Sequence, residues 1–561
     1  MRILFYFVCI TTTLFSSVIY AQKPNQNTVI EYFTYSNGKI INADDPIMVI
    51  ANEQTSFIAK KKQLNIGLEK YPYEQTFTDY KNKTQYSIAH LTKKNKIKML
   101  LPEAKQNFTL HNETKLILGY KCKKTTITIN SNNITLWYTN DFKFKASPMT
   151  LGTNLGVVLE IDRNGTYKTL ASKINTDLKL DLKDYFTLED SRLLDPKDYK
   201  TELWKSRFTT IKLFEDDIVN FSDSVINKPN LMRFAKGTVI VTKVKIPALK
   251  STDQLFINLT EQSNGDAYDR TGSVFLIPHY HEISFMDALE QGIGVLPIYQ
   301  NQDSSEKFQG VIATNNYTPP IELMRFFTPF GVKGFNHIDV LDYKWQDKAY
   351  YRQEITEFLP LLSNSEWYVG VYIGNYDKGG HKISADITIH PDGQEEKNKV
   401  TTMMPIFNTT NLMEMAGQNY PIMFASPEGL KITFTATTDI KNAKLRYITT
   451  GHGGWENGDE FNPKLNSISL DQNKILDYYP WRQDCGSYRE YNPASGNFDT
   501  GLSSSDLSRS NWCPGTVTPP IWVPLGDIKK GTHTIEVKIP QGRREGTSFS
   551  YWNVSGVLFG E

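Results

Sequence analysis

Gly265-Asp266-Ala267-Tyr268-Asp269-Arg270-Thr271-Gly272-Ser273-Val274-Phe275-Leu276-Ile277 reads as a turn that runs straight into a β-strand. Glycine and two aspartates favour the turn, and Val274 to Ile277 supplies an apolar, β-favouring run with no helical period. Other stretches repeat the signature. Ile383-Ser384-Ala385-Asp386-Ile387-Thr388-Ile389 alternates apolar and polar residues, which gives a strand one buried face. Thr238 to Ile246, Trp367 to Ile373, Leu430 to Thr437, Lys444 to Thr450, Gly531 to Ile539 and Phe549 to Val557 read likewise. Asn, Gly, Pro and Asp turns separate them, and the one short helix expected here is Ile355 to Leu362. The chain is therefore all-β, and its last two β units have the size of a pair of jelly rolls.

Upstream, residues 28–195 are also dense in strands, such as Val29 to Tyr35, Thr125 to Ile129 and Ile134 to Tyr138. The 561 residues exceed one hydrophobic core. The spans expected are 1–21 as a secretory signal, 22–175 as an N-terminal β domain, 176–205 as a charged linker, and 206–392 and 393–561 as the two jelly rolls. The signal reading rests on Arg2, the apolar Ile3 to Tyr20 and the small Ala21. It implies a secreted or periplasmic protein without membrane insertion.

Charges nearly cancel, 62 basic against 61 acidic, so no field favours nucleic acid. Thirty Tyr and thirty Phe suit strands and also stacking on sugar rings. An oxidising compartment permits a bridge between Cys485 and Cys513, closing a loop worth roughly 3 kcal/mol and leaving Cys122 as a lone thiol.

Three kinds of chemistry were weighed on the residues. Pro278-His279-Tyr280-His281-Glu282 puts two histidines on one strand face, but no further His or Cys cluster completes a metal site. No Gly-x-Ser-x-Gly elbow stands on a strand-to-helix turn. Paired carboxylates remain. Asp269 sits on a rigid strand edge, and the adjacent Arg270 can hold it ionised. Glu460 lies in the glycine-rich loop Gly451-His452-Gly453-Gly454-Trp455-Glu456-Asn457-Gly458-Asp459-Glu460-Phe461, and Arg509-Ser510-Asn511-Trp512-Cys513-Pro514-Gly515 follows. Two acids, an arginine, indole faces and a bridge suit a site for an uncharged, hydroxyl-rich ligand.

Two resemblances sharpen this reading. Lys115 to Lys123, Trp137-Tyr138-Thr139 and Leu151 to Glu160 resemble, in order and spacing, the GLPGLI family, which implies a bowl-like or half-barrel β module for the N-terminal domain. From about 206 to 561 the chain resembles the peptide:N-glycanase F family. The resemblance is carried by Asp269-Arg270, Gly451-His452-Gly453, Asp459-Glu460-Phe461 leading to Ile468-Ser469-Leu470-Asp471, then Cys485, and Arg509 through Trp512-Cys513-Pro514-Gly515. It implies two eight-stranded antiparallel jelly rolls and hydrolysis of the amide between asparagine and the innermost GlcNAc of an N-glycan. It implies no metal or organic cofactor, N-glycosylated proteins and glycopeptides as partners, and a monomer. Carried over residue by residue, Asp269 and Glu460 are catalytic, and Cys485–Cys513 is a disulfide. Arg270, His452, Trp455, Arg509, Trp512 and Tyr372 bind substrate.

The sequence departs from the family at the cysteines that flank each acid, which are absent here. A third family acid is replaced by Tyr372-Ile373-Gly374. The smaller side chains there imply tolerance of core-fucosylated glycans. Two alternatives use the same ingredients: an endoglycosidase, which would leave GlcNAc on the peptide, and a non-catalytic N-glycan-binding surface protein.

Overall fold

The computed structural model describes residues 27–64, 70–102, 105–176, 188–301, 306–331, 341–342, 344–391, 400–418, 420, 422–453, 458–492, 503–544 and 546–561. The expected signal at 1–21 and the ligand-binding Trp455 lie outside them. The chain divides into two compact units, Met1–Arg207 and Phe208–Glu561.

The first unit is built on one 13-stranded sheet. From Lys96–Leu100 back to Ile47–Ala51, sequential strands pair antiparallel. Thr28–Ser36 then joins Tyr167–Asn175, and the sheet runs on to Thr109–Ile117. The two terminal strands, Arg192–Leu193 and Thr109–Ile117, do not pair with each other, so the sheet stays open rather than closing into a barrel. Cys122 is a buried free thiol within its core.

The stretch read as a linker is only partly one. Residues 177–187 fall outside the described set, but Pro196–Lys205 is an α-helix. Asp195 caps it by accepting from Lys197 N and Asp198 N, with Pro196 in the first turn, where a missing N–H costs nothing. Tyr199 and Leu203, four residues apart and so on one face, pack on Ala89, Leu91 and Ile97. Charge-rich surroundings hid this helix, because only two of its ten residues are buried.

The second unit holds two sandwiches. In the first, Thr209–Val219, His381–Pro391, Asp253–Ser263 and Ala349–Glu354 make one sheet. Met232–Phe234, Val239–Ile246, Ser365–Ile373, Thr271–Ile277 and Ile321–Phe327 make the other, extended by Val517–Thr518 from the second sandwich. The second sandwich has four strands in each sheet. These are Thr402–Asn408, Ser550–Gly560, Ile440–Gly453 and Ile521–Ile528 facing Leu430–Ala436, Gly531–Lys538, Asn466–Leu470 and Asn473–Tyr478. Burial alternates residue by residue along Leu430–Ala436, as its sequence predicts. The short helix at 355–362 is a 3-10 turn, Thr356–Phe358, followed by the α-turn Leu359–Leu362.

The two sandwiches cluster as one compact unit because their seam is itself core. Val557 and Phe559 of the second pack into the hydrophobic cluster of the first. Arg325, fully buried, spends all five N–H donors at this seam. Nε and Nη2 go to Glu322 at 3.0 and 2.7 Å, Nη1 to Thr450 Oγ1 and Asn553 O at 3.1 and 2.6 Å, and Nη2 also to Thr410 Oγ1 at 3.0 Å. Ser273 and Ser555 complete the shell of Glu322, one from each sandwich. Arg446 reaches back across the seam to Glu357 Oε1 and to the carbonyls of Glu322 and Leu323.

Candidate active site

Asp269 ends the turn that precedes Thr271–Ile277, whose strand holds it from behind. The turn wraps around Asp266. Tyr268 N, Arg270 Nε and Arg270 Nη2 all donate to that carboxylate, at 3.1, 2.7 and 3.2 Å. Thr328 ties the far side, its Oγ1 accepting from Arg270 N and donating to Tyr268 O. The closing arginine is therefore spent on Asp266. The expectation that Arg270 holds Asp269 directly is corrected, since the two groups are adjacent in sequence but point to different partners.

The direct partner of Asp269 comes from the other sandwich. Arg509 Nη1 lies 3.2 Å from Asp269 Oδ2 and also contacts Glu460 Oε1. Two carboxylates thus meet at one guanidinium nitrogen. The guanidinium is buried and sandwiched between the rings of Trp512 and Phe461, at 4.4 and 5.0 Å, and its Nη2 donates to Ser504 O. Asp269 and Glu460 keep only 16 and 18% of their side-chain surface exposed.

The charges do not balance, and the acidities follow. Burial pushes the Glu460 carboxyl up to about 7; Arg509 opposes this and the nearby Asp269 adds to it. Burial raises Asp269 too, against the pull of Arg509. One cation offsets one carboxylate, so the pair retains a proton near neutrality.

The scaffold below is aromatic. Phe327 stacks on Trp512 at 4.4 Å, and His452 stacks on Tyr551 at 5.0 Å and lies 5.4 Å from Trp512. Trp512 Nε1 donates to Gly451 O at 2.9 Å. Gly451 must lack a side chain, because a Cβ there would lie 2.7 Å from Trp552 and 2.9 Å from Ser510. The Cys485–Cys513 disulfide and the reciprocal backbone pair Arg482–Arg509 fix the same segment. Burial first, then repulsion from Arg325 and Arg509, pushes the His452 ring far below its usual range, so it stays neutral, and its Nε2 shares a hydrogen bond with Thr450 Oγ1 at 2.7 Å.

Of the residues singled out from sequence, Asp269, Glu460, Arg509, Trp512 and His452 converge here. His452, Trp512 and Tyr372 are buried. Among the described residues, no three or more His, Cys, Asp or Glu gather as metal ligands. His279 packs edge-on against Trp367 and Tyr368.

Two residues escaped the sequence reading. Glu414 Oε2 accepts from Tyr372 at 3.2 Å, and its Oε1 accepts from the exposed Tyr376 at 2.7 Å. Arg270 lies over the Tyr376 ring at 5.4 Å. Burial first, then the charges of Glu414 and Glu460, hold the Tyr551 hydroxyl well above its usual range. A carboxylate thus does stand beside Tyr372-Ile373-Gly374, supplied by the 3-10 turn Glu414–Ala416. Nothing in the stretch Asn411-Leu412-Met413-Glu414-Met415 marks it, because its partners lie about forty residues upstream.

Residues 210–389 match the family model for the N-terminal domain of peptide-N-glycosidase F, and residues 419–559 match its C-terminal domain. Residues 30–201 match the N-terminal domain of the N-glycanase peptide, a span that ends within the helix Pro196–Lys205. The solved structure of PNGF-II in space group C2 is 48% identical over 96% of this chain and 98% of its own, with a TM-score of 0.90. The chain belongs to the peptide-N-glycosidase F family.

The same protein in space group P21 is also 48% identical, over 95 and 99% of the two chains, with a TM-score of 0.90. PNGase F of Flavobacterium meningosepticum, titled a glycosylasparaginase, is 16% identical over 63% of this chain and 96% of its own, with a TM-score of 0.41. No curated protein matches. As a member of the peptide-N-glycosidase F family, the protein is a hydrolase of the amide joining an N-glycan to asparagine. No helix among its described residues is long and apolar enough to cross a membrane.

Proposed function

We propose that Asp269 activates water for attack on the side-chain carbonyl of a glycosylated asparagine, with Glu460 protonated beside it. The reading is carried by the two carboxylates that meet at Nη1 of the buried Arg509. Water adds its oxygen to the asparagine Cγ and passes a proton to Asp269. The C–N bond then breaks as Asp269 hands that proton to the nitrogen, which leaves as a glycosylamine, and the asparagine becomes aspartate. The Glu460 proton, retained up to about pH 7, hydrogen-bonds the sugar or the departing nitrogen. Arg509 offsets the charge that Asp269 carries, while burial and the Asp269 carboxylate keep Glu460 from ionising with it.

The sugar-binding wall includes Arg270, Tyr376 and Glu414, with Tyr372 holding Glu414 in place. A carboxylate oriented by two tyrosine hydroxyls accepts sugar hydroxyls without rearranging. Glu414→Gln removes one charge-assisted hydrogen bond. The expected result is a KM raised about tenfold with kcat changed less, read from initial rates on one glycopeptide over a concentration series.

Tolerance of core fucose is part of the same proposal. The tolerance rests on Gly374, which projects no side chain at this wall. Matched glycopeptides with and without core fucose should be released at rates within about tenfold. Complete failure on the fucosylated set overturns the tolerance.

The proposed setting is secreted or periplasmic, where the Cys485–Cys513 disulfide persists. The decisive experiment is mass spectrometry of a glycopeptide after incubation in oxygen-18 water. Labelled aspartate with release of the intact glycan supports the amidase. A peptide that keeps one GlcNAc makes the protein an endoglycosidase, and an unchanged peptide makes it a binding protein.

A further inference from the structure

Behind the Asp269 turn lies a row of buried charges that the chemistry above does not use. His381, the first residue of His381–Pro391, is buried between two acids. Its Nδ1 is 2.8 Å from Glu261 Oε1, and its Nε2 is 3.5 Å from Asp266 Oδ2, an ion-pair distance. Asp266 in turn holds Arg270 through two N–H donors and Tyr268 through its backbone. The row reads Glu261, His381, Asp266, Arg270, with signs alternating if the imidazole is protonated. Glu261, His381 and Asp266 are each at most 1% exposed.

We propose that His381 is a positioning residue for Asp269, acting as a buried imidazolium that holds Asp266, and through Asp266 the turn that carries Asp269. The inference rests on the reading of Asp269 as the water-activating group.

Gly265, at φ +146°, and Asn264 lie against residues 377–380, and Asn264 N donates to Gly380 O. Thr328 and the Gly331 N–H, which donates to Ala267 O, hold the outer side of the turn. The ligands of the Asp266 carboxylate hold its inner side. Arg270 offsets one of the two buried acids, and an imidazolium between Glu261 and Asp266 offsets the other.

The groups near the imidazole are limited. Asp253–Ser263 supplies Glu261, and the turn supplies Asp266 and Arg270. Thr209–Val219 places apolar Val219 opposite His381. Ala349–Glu354 supplies the Tyr351 hydroxyl, which donates to Phe327 O. In the adjoining loop, the Asp377 carboxylate is occupied by Gly379 N and Gly380 N.

The electrostatics agree with the geometry. Burial alone would favour a neutral ring, but Asp266 and Glu261 hold His381 up to about 9. Burial would likewise raise Asp266, yet His381 and Arg270 hold it down to about 2. Because the folded-state pKa of His381 is raised, the hold on the turn is present below it. The hold is lost as pH rises through about 9.

The test uses the full chain and glycopeptide release, with kcat and KM measured across the alkaline range. His381→Gln should lower kcat roughly 10²-fold, as a misplaced reacting group does, with KM within about threefold. Beyond the fall near pH 7 that loss of the Glu460 proton brings, wild type should show a second loss of kcat above about pH 9. Glu261→Gln, which removes one of the two anions, should move that limb down by about one pH unit. Circular dichroism confirms that each variant is folded at the assay temperature. If His381→Gln does not fold, the limb of Glu261→Gln carries the test. A folded His381→Gln with wild-type kcat, or a Glu261→Gln limb that stays in place, overturns the proposal. Asp269→Asn is run alongside. If it keeps activity, the reading of Asp269 fails instead, whatever His381 does.

Discussion

Asp269→Asn releases N-glycan at least about 10³-fold more slowly than the unsubstituted protein, a loss of about 4 kcal/mol of transition-state stabilisation. The substitution keeps the volume of the side chain and removes only its capacity to take a proton. It also removes one of two anions from a single cation, so the variant should be at least as stable as its parent. A second consequence distinguishes this account from simple damage. Glu460 is held up to about 7 in part by the nearby Asp269 carboxylate. With asparagine there, Glu460 has Arg509 to itself and should titrate lower. Carboxyl titration followed by infrared difference spectroscopy on wild type and variant reads this shift, and oxygen-18 mass spectrometry reads the lost turnover. A variant that still turns over at a tenth of the parental rate removes Asp269 from the mechanism.

Arg325→Met is the second large effect, and it falls on stability. Methionine matches much of the volume of the arginine but brings none of its five donors. Glu322 is left fully buried, with Ser273 and Ser555 as its remaining partners, while Thr410, Thr450 and the Asn553 carbonyl each lose the bond from Arg325. Breaking one half of a buried pair costs about 3–5 kcal/mol. Urea unfolding should show that loss as a lower midpoint. Glu322→Gln in the same chain should recover part of it, because the stranded charge is gone. Activity should fall with stability, since Asp269 belongs to one sandwich and Glu460 with Arg509 to the other. A loss below about 1 kcal/mol would mean that Glu322 takes up a proton at little cost.

Much of this protein was legible without coordinates. Alternation along Leu430–Ala436 and the turn before Thr271–Ile277 depend on neighbouring residues, and local physics sets both. Asp269, Glu460, Arg509 and the Cys485–Cys513 pair could be named because each sits in a short stretch resembling a family whose fold brings such stretches together. The tertiary structure alone decided the partners. Arg270 turned to Asp266, although Asp269 is its sequence neighbour, because the turn closes around the buried carboxylate. Asp269 went to Arg509, 240 residues away, and Glu414 took the place beside Tyr372 from a turn with no motif. Helix Pro196–Lys205 was hidden because its two buried residues count only once the surface of Ala89 and Ile97 is there to receive them. Propensity and period are properties of adjacent residues. The choice of an ion partner is made at the seam, where burial removes water and a few ångströms decide which charge a cation meets.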